Sequence, residues 1–196
     1  MPLDIVILGP PGAGKGTQGK LIAADAEIPH VNTGEMFRAE CAAGTELGER
    51  VRSILDDGDL VPDELTIEVV RARLAQDDTA RGFVLDGFPR TLAQAEALDR
   101  VLVEIDRGEL CVVLDFHVSD EIAVQRLLGR AGVEGRSDDT LDRIQHRLDV
   151  YHEKSEPLVE YYRARGILVG IHADRTVEEV FAEVQQVLAT AQQARS

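Results

Sequence analysis

The sequence predicts an α/β protein with a parallel five-stranded sheet that is covered by helices on both faces. Apolar runs recur along the chain, and segments with helical periodicity separate them. The runs are continuously apolar rather than alternating, which is typical of strands buried on both faces of a sheet. A glycine-rich loop follows the first run directly. The five runs are residues 3–8, 28–31, 82–85, 110–116 and 166–171.

The loop at residues 9–17 reads Gly-Pro-Pro-Gly-Ala-Gly-Lys-Gly-Thr and predicts a phosphate-binding site. Between a strand and a helix, the N–H groups of such a loop turn inward and the helix directs its positive end at the anion. Lys15 would reach the outer phosphates, and glycine leaves room for their approach. A hydroxyl residue usually follows the lysine directly, whereas here Gly16 intervenes before Thr17. The alternative, a glycine-rich turn that only joins a strand to a helix, is disfavoured by this context.

Length and charge narrow the class of protein. The chain has 196 residues, the size of one domain with a substantial core. A formal net charge of −15 disfavours nucleic acid and anionic membranes as partners. No apolar run approaches the ~18 residues of a membrane span, and no targeting segment precedes the first strand, so we expect a cytoplasmic protein. Neither the two cysteines nor the histidines have the spacing of a metal site, and the histidines are expected at the surface or at strand edges.

Two stretches without strands interrupt the α/β pattern. Residues from about 33 to 74 contain short helical segments, which predict a helical insertion over the edge of the sheet. Residues 129–136 contain three glycines and predict a short loop between two helices. A final helix is indicated by the capping-box spacing of Thr176 and Glu179. The breaks within the first stretch are Gly44, Gly58 and Pro62.

The segment at residues 86–91, Asp-Gly-Phe-Pro-Arg-Thr, follows the third apolar run. Asp86 therefore lies at the carboxyl end of a strand, where ligands bind in open α/β sheets. An aspartate there can hold Mg²⁺ directly or through water; the plainer alternative is a turn aspartate that caps a helix. Arg90 could face bound phosphates or be an ordinary surface arginine. Thr91 is the expected N-cap of the next helix.

Further arginines flank the predicted loops. Arg38 lies about one turn into a helix that begins near Thr33, where a second phosphate could be held. Arg126 and Arg130 share one helix face, and Arg147 follows on the next helix. Charged residues at such spacing ordinarily form solvated salt bridges. Together, however, these arginines would supply the charge neutralisation and alignment that phosphoryl transfer requires.

Taken in order, these segments resemble the adenylate kinase family. The resemblance rests on residues 9–17, Thr33-Gly-Glu-Met-Phe-Arg38, residues 86–91 and Gly135-Arg-Ser-Asp-Asp139, and it covers nearly the whole chain. The displaced hydroxyl at Thr17 is that family's own form of the loop. The resemblance implies a P-loop NTPase fold and a Mg²⁺-dependent, reversible phosphoryl transfer from ATP to AMP that gives two ADP.

The resemblance also implies a role for each site residue. It places the ATP phosphates on Gly12, Ala13, Gly14, Lys15, Gly16, Thr17 and Arg130, and Mg²⁺ on Asp86 with Thr17 as a further candidate ligand. It places AMP on Thr33, Gly34, Arg38, Asp59, Leu60, Val61, Gly87, Phe88, Pro89, Arg90, Gln94, Arg136 and Arg147. Catalysis is assigned to Lys15, Arg90, Arg126, Arg130, Arg136 and Arg147, with Asp138 and Asp139 orienting the arginines.

Two departures from the family pattern bear on domain organisation. Members with a long lid carry a much longer segment between the positions of Arg130 and Arg136, sometimes with zinc-binding cysteines, whereas here five residues intervene. We therefore expect a single domain at 1–196 with an AMP-binding insertion at about 33–62, a short lid at about 130–136 and no structural zinc. Glu35 stands where aspartate is common, and we expect this change to matter little.

Two alternative functions remain open. A UMP or CMP kinase would share the fold, although such kinases that resemble this family usually have alanine at the position of Thr33. A nucleotide-binding regulator without transfer activity would need the glycine-rich loop but not the set of arginines. The leading expectation is a monomer whose partners are ATP, AMP and ADP.

Overall fold

A five-stranded, all-parallel sheet forms the centre of the computed structural model, which describes residues 2–134 and 140–194, with backbone alone for 131–134. The strand order is β2-β3-β1-β4-β5, as expected for an open α/β sheet. Each predicted strand is confirmed. The strands are β1 (Leu3–Leu8), β2 (His30–Asn32), β3 (Gly82–Asp86), β4 (Val112–His117) and β5 (Leu168–His172).

Helices connect the strands and cover both faces of the sheet. They are α1 (Lys15–Ala26), α2 (Thr33–Ala43), α3 (Glu46–Asp57), α4 (Asp63–Leu74), α5 (Leu92–Glu104), α6 (Asp120–Glu134), α7 (Leu141–Val150), α8 (Pro157–Ala164) and α9 (Val177–Gln193). A 3₁₀ turn at Asp77–Thr79 precedes β3, and a π-helical turn at Tyr151–Ser155 joins α7 to α8. Within residues 2–134 and 140–194, no helix is long and apolar enough to span a membrane.

Alternate residues of β1 contact the two halves of the core. Ile5 and Ile7 pack in the cluster formed with α1 and α9, whereas Val6 and Leu8 pack in the cluster formed with α4, α5 and α8. All four side chains are buried. Continuous apolarity in the sequence therefore reflects burial on both faces, as predicted.

The predicted short helical segments and their breaks are confirmed as helices α2, α3 and α4. Gly44 and Gly58 end the first two helices with φ values of 65° and 85°, a left-handed conformation that glycine adopts without strain. Pro62 precedes the first turn of α4. Phe37, Val51 and Val61 form a separate small core that holds these helices together.

The predicted loop at 129–136 is wrong over its first part. Helix α6 continues through Gly129 and Gly132 to Glu134. Glycine costs a helix only about 1 kcal/mol relative to alanine, so two glycines do not by themselves end it. The predicted site residues Arg136, Asp138 and Asp139 lie outside the described residues.

Candidate active site

The glycine-rich loop joins the carboxyl end of β1 to the first turn of α1. Gly12 and Gly14 have φ values of 85° and 84°, so the loop needs glycine for its conformation. A Cβ atom on Gly12 would also lie 2.6 Å from the Ala123 carbonyl oxygen in α6. The Lys15 ammonium folds back over the loop and donates to the carbonyl oxygens of Gly9 and Pro10, each at 2.7 Å.

This loop forms one wall of a cavity of about 930 Å³ at the carboxyl edge of the sheet. The insertion forms the opposite wall through α2 and the α3–α4 connection, and α6 and α7 complete the cavity. Most of the predicted site residues line it. They are Gly12, Ala13, Gly14, Lys15, Gly16, Thr17, Gly34, Arg38, Asp59, Leu60, Asp86, Gly87, Pro89, Arg90, Arg126, Arg130 and Arg147.

The cavity brings together cations from distant parts of the sequence. Burial lowers the pKa of Lys15 to about 8; the Asp86 carboxylate opposes this shift, while the nearby arginines 90, 147 and 130 add to it. Desolvation within the cavity also lowers the pKa of Arg90, as do its neighbours Arg147 and Arg38. Such a concentration of positive charge in a chain with a net charge of −15 is suited to polyphosphate.

Asp86 lies at the end of β3, beside Ile7 of β1, as the sequence predicted. Its Oδ2 accepts from Asn32 Nδ2 at 2.6 Å and lies 3.4 Å from His30 Nε2. Burial favours the neutral acid, but the contact with His30 and the charge of Lys15 outweigh it, so the pKa of Asp86 lies below its ordinary value. The carboxylate is therefore ionised at neutral pH.

Sequence reasoning missed the roles of Asn32 and His30. His30 was expected at the surface or at a strand edge; it belongs to the edge strand β2, but its side chain is buried against Asp86. Asn32 Oδ1 also accepts from the Glu35 N–H at 2.8 Å, so Asn32 is the N-cap of α2. The Asn-x-x-Glu pattern could have indicated this cap but not the contact with Asp86.

Three contacts hold Arg90 at the cavity wall. Its Nε donates to the Gly87 carbonyl oxygen at 2.8 Å, and its backbone N–H donates to Gln94 Oε1 at 2.7 Å. Its carbonyl oxygen accepts from the Ser155 hydroxyl at 3.0 Å. Ser155 ends the π-helical turn, which was not predicted, and π turns are frequent at functional sites.

Some of the residues that the sequence analysis assigned to AMP lie behind the cavity wall rather than on it. The buried Thr33 hydroxyl donates to the Gly87 carbonyl oxygen at 2.9 Å and joins α2 to the end of β3. Val61, Phe88 and Gln94 are also buried, and Gln94 is 2% exposed. These residues position the wall through contacts within the protein.

The same cavity also extends towards the first turn of α9. Arg126 donates to the Ala173 carbonyl oxygen at 2.8 Å, and Gln18 Nε2 donates to the Val177 carbonyl oxygen at 2.8 Å. Ala173, Arg175 and Val177 also line the cavity. Nothing in the sequence indicated that the β5–α9 connection contributes to the site.

The fold and the cavity define a phosphate-loop α/β protein with a helical insertion facing the loop. A family model described as adenylate kinase matches residues 7–167. The chain belongs to the adenylate kinase family, and the expected fold class and enzyme class are confirmed.

Curated relatives give the same result over nearly the whole chain. The adenylate kinase of Thermobifida fusca is 51% identical over 178 residues, which cover 91% of this chain and 94% of that protein. The adenylate kinase of Thermus thermophilus is 50% identical over 184 residues, 94% of this chain and 96% of that protein. The adenylate kinase of Agathobacter rectalis is 43% identical over 213 residues, 95% of this chain and 99% of that protein.

Proposed function

We propose that the protein transfers the γ-phosphoryl group of Mg-ATP to AMP, in a reversible reaction that gives two ADP. The observation that carries this proposal is that Arg90, Arg130 and Arg147 line the same cavity as Lys15 and the phosphate loop. A site for a single nucleotide would need the loop and Lys15 alone. The additional arginines, together with a second wall built from α2, fit a second phosphate-bearing substrate.

The donor half of the site is the loop and the recess beyond it. Backbone N–H groups at residues 12–17 and the positive end of α1 would hold the ATP phosphates. Lys15 would hold the transferring group, and Thr17 its outer oxygens or the metal. Arg126, placed by its bond to Ala173, lies where the donor nucleotide would extend towards α9. Arg130 would neutralise charge on the transferring group.

The acceptor half is the wall formed by α2 and the segment after β3. Arg38, Arg90 and Arg147 would hold the AMP phosphate, and the wall at Gly34 and Leu60 would contact the adenosine. Thr33 and Val61 support this wall from behind, and we assign recognition of the base to the small part of the Gln94 side chain that remains exposed. Five further residues complete the set that we propose for AMP binding. They are Asp59, Gly87, Phe88 and Pro89, together with Arg136, which Asp138 and Asp139 would orient.

The reaction needs alignment rather than covalent chemistry from the protein. The bond between the γ-phosphorus and its bridging oxygen breaks, and a new bond forms to an oxygen of the AMP phosphate. That oxygen is already ionised near neutral pH, so no side chain has to remove a proton. The arginines and Lys15 would hold two mutually repelling anions in line and neutralise the charge of the transition state.

Mg²⁺ fits the residues around Asp86. In the part of the chain that the structure describes, no three acidic, histidine or cysteine side chains converge on one point. Mg²⁺ does not need such a cluster, because it is commonly held by one or two carboxylates, substrate phosphates and several waters. The ionised, buried Asp86 lies against the loop and suits that role, and the ion would neutralise phosphate oxygens when bound.

We propose further that the molecule is a cytoplasmic, single-domain monomer of the short-lid form, without structural zinc. Five residues separate Arg130 from Arg136. The alignment with the Agathobacter rectalis relative spans 213 residues, more than the 196 of this chain, which supports a longer segment in that relative. The insertion at about 33–62 and the lid at about 130–136 would close over the substrates and exclude water.

A panel of acceptors tests the proposal. Turnover is measured with Mg-ATP and AMP, CMP, UMP or GMP, and with excess EDTA as the metal control. We expect AMP to give the highest kcat/KM, by at least about tenfold, and EDTA to abolish turnover. Equal or better rates with CMP or UMP would instead show a pyrimidine nucleotide kinase. Nucleotide binding without turnover would support a regulator.

A further inference from the structure

Asp63, the first residue of α4, accepts two side-chain hydrogen bonds from the beginning of α5. Its Oδ2 accepts from the Thr91 hydroxyl at 2.9 Å, and its Oδ1 accepts from Gln94 Nε2 at 2.7 Å. Asp63 does not line the cavity. It connects the end of the insertion, where Leu60 lines the wall, with the helix that carries Gln94.

The Gln94 amide is held from both of its ends. Nε2 donates to the Asp63 carboxylate, and Oε1 accepts from the Arg90 backbone N–H at 2.7 Å. Turning the amide by half a rotation would place Oε1 against the carboxylate and Nε2 against the N–H, two repulsive pairs. The contact with the carboxylate is charge-assisted and therefore the stronger of the two restraints. The protein thus fixes which end of the amide faces which way.

These two bonds leave a defined pattern for a ligand. A glutamine amide has two N–H donors and two oxygen lone pairs, so one of each remains. A donor beside an acceptor is a pattern with which glutamine can pair with adenine, whose N6 amino group lies beside the acceptor N1 on its Watson–Crick edge. Guanine presents the reverse pattern, with the oxygen acceptor O6 beside an N1–H donor. An amide oxygen fixed opposite that position would meet a hydrogen of adenine but an oxygen of guanine.

We propose that Asp63 is a positioning residue for the selectivity of the acceptor site. By fixing the orientation of the Gln94 amide, it favours a purine with an exocyclic amino group over one with a carbonyl oxygen at the same position. The inference rests on the proposed function, since it takes the remaining N–H and lone pair of Gln94 to face the acceptor-base site. Asp63 itself does not touch the base.

The test compares kcat/KM for AMP and for GMP in the wild-type protein and in Asp63→Ala. We expect the ratio of the two values to fall by about tenfold, because the freed amide can turn its Nε2 towards O6 of guanine. Gln94→Ala should lower the same ratio, and the double variant should lower it no further, since both changes act through one amide. Glu64→Gln is the matched control, because it removes a carboxylate from the same helical turn with an exposed side chain.

The outcomes separate a positioning role from a structural one. A purely structural role would reduce turnover with both acceptors by the same factor in Asp63→Ala and leave their ratio unchanged, which would overturn the inference. The inference would also be overturned if the double variant lowered the ratio of the AMP and GMP values by the product of the two single effects. If Asp63→Ala does not fold, Asp63→Asn serves instead, since its amide can no longer restrain Gln94 by charge. A wild-type protein without preference for AMP would contradict the proposed function, whatever the variants do.

Discussion

Lys15 combines a structural contact with the chemical role proposed for it. Its ammonium folds onto the carbonyl oxygens of Gly9 and Pro10, and burial among arginines lowers its pKa to about 8. The charge that would hold the transferring phosphoryl group is therefore the charge most easily lost from the site.

The pH dependence of kcat/KM for Mg-ATP should report this lysine. Lys15 is charged below its pKa and neutral above it, so we expect kcat/KM to be high at neutral pH and to fall as pH rises through about 8. This fall in kcat/KM is measured from steady-state rates at saturating AMP between neutral and alkaline pH. Lys154→Gln, which changes an exposed lysine, should leave it in place. A fall in kcat/KM that begins only near the ordinary pKa of lysine would contradict its assignment to Lys15.

Single residues also mark the limit of what sequence reasoning could predict. The loop, Asp86 and the arginines carry recognisable patterns because their role depends on residues close in sequence. Asn32 contacts Asp86 from 54 residues away, Gln94 contacts Asp63 from 31, and Ser155 contacts Arg90 from 65. No local periodicity or motif encodes such pairs, since they exist only after the sheet brings the chain segments together.

At the scale of elements, strands and helix caps were predictable because their signals are local. Thr91 and Thr176 cap α5 and α9 as predicted, and the latter forms the full capping box with Glu179. The end of α6 was not predictable from its glycines, because the cost of a glycine within a helix is modest. The π-helical turn between α7 and α8 has no sequence signature of its own.

A buried ion pair joins two of these elements at the edge of the sheet opposite the cavity. Arg107, which follows α5, contacts Asp4 of β1, and their side chains are 7% and 4% exposed. Arg107 also donates to the Thr79 carbonyl oxygen and lies over the Phe83 ring. The pair ties the beginning of β1 to the segment that leads into β4.

Removing the carboxylate of this pair should destabilise the fold without touching the active site. We expect Asp4→Asn to lower the free energy of unfolding by about 3 kcal/mol, because it leaves the Arg107 charge buried without its anion. Urea denaturation measures the change. Glu104→Gln, which removes the partner of Arg71 in a half-exposed pair, should cost less than about 1 kcal/mol. If the two substitutions lowered the free energy of unfolding equally, burial would not determine how much an ion pair contributes to stability.

At the scale of the whole molecule, the site is assembled from two halves that different elements carry. The proposed donor half lies on β1, α1, α6 and the β5–α9 connection, and the proposed acceptor half lies on α2, β3 and the α3–α4 connection. Because both halves line one cavity, a single elongated ligand can contact them together.

An inhibitor that joins two adenosines through a polyphosphate should test this arrangement. We expect it to raise the midpoint of thermal unfolding, since a ligand that binds only the folded state stabilises it. Arg38→Ala in the acceptor half and Arg126→Ala in the donor half should each reduce the increase. With ATP alone, only Arg126→Ala should reduce it. An inhibitor response that is insensitive to Arg38→Ala would indicate a site for one nucleotide.

Gly12 allows the glycine-rich loop to approach the backbone of α6 closely at Ala123. With only 2.6 Å between the position of a Cβ on Gly12 and the Ala123 carbonyl oxygen, no side chain fits between the loop and α6. The backbone of α6 therefore packs directly against the loop, and Arg126 and Arg130 lie about one and two helical turns beyond this contact. If the donor phosphates bind the loop as proposed, the reach of each arginine side chain from these first turns of α6 would decide which phosphate it contacts.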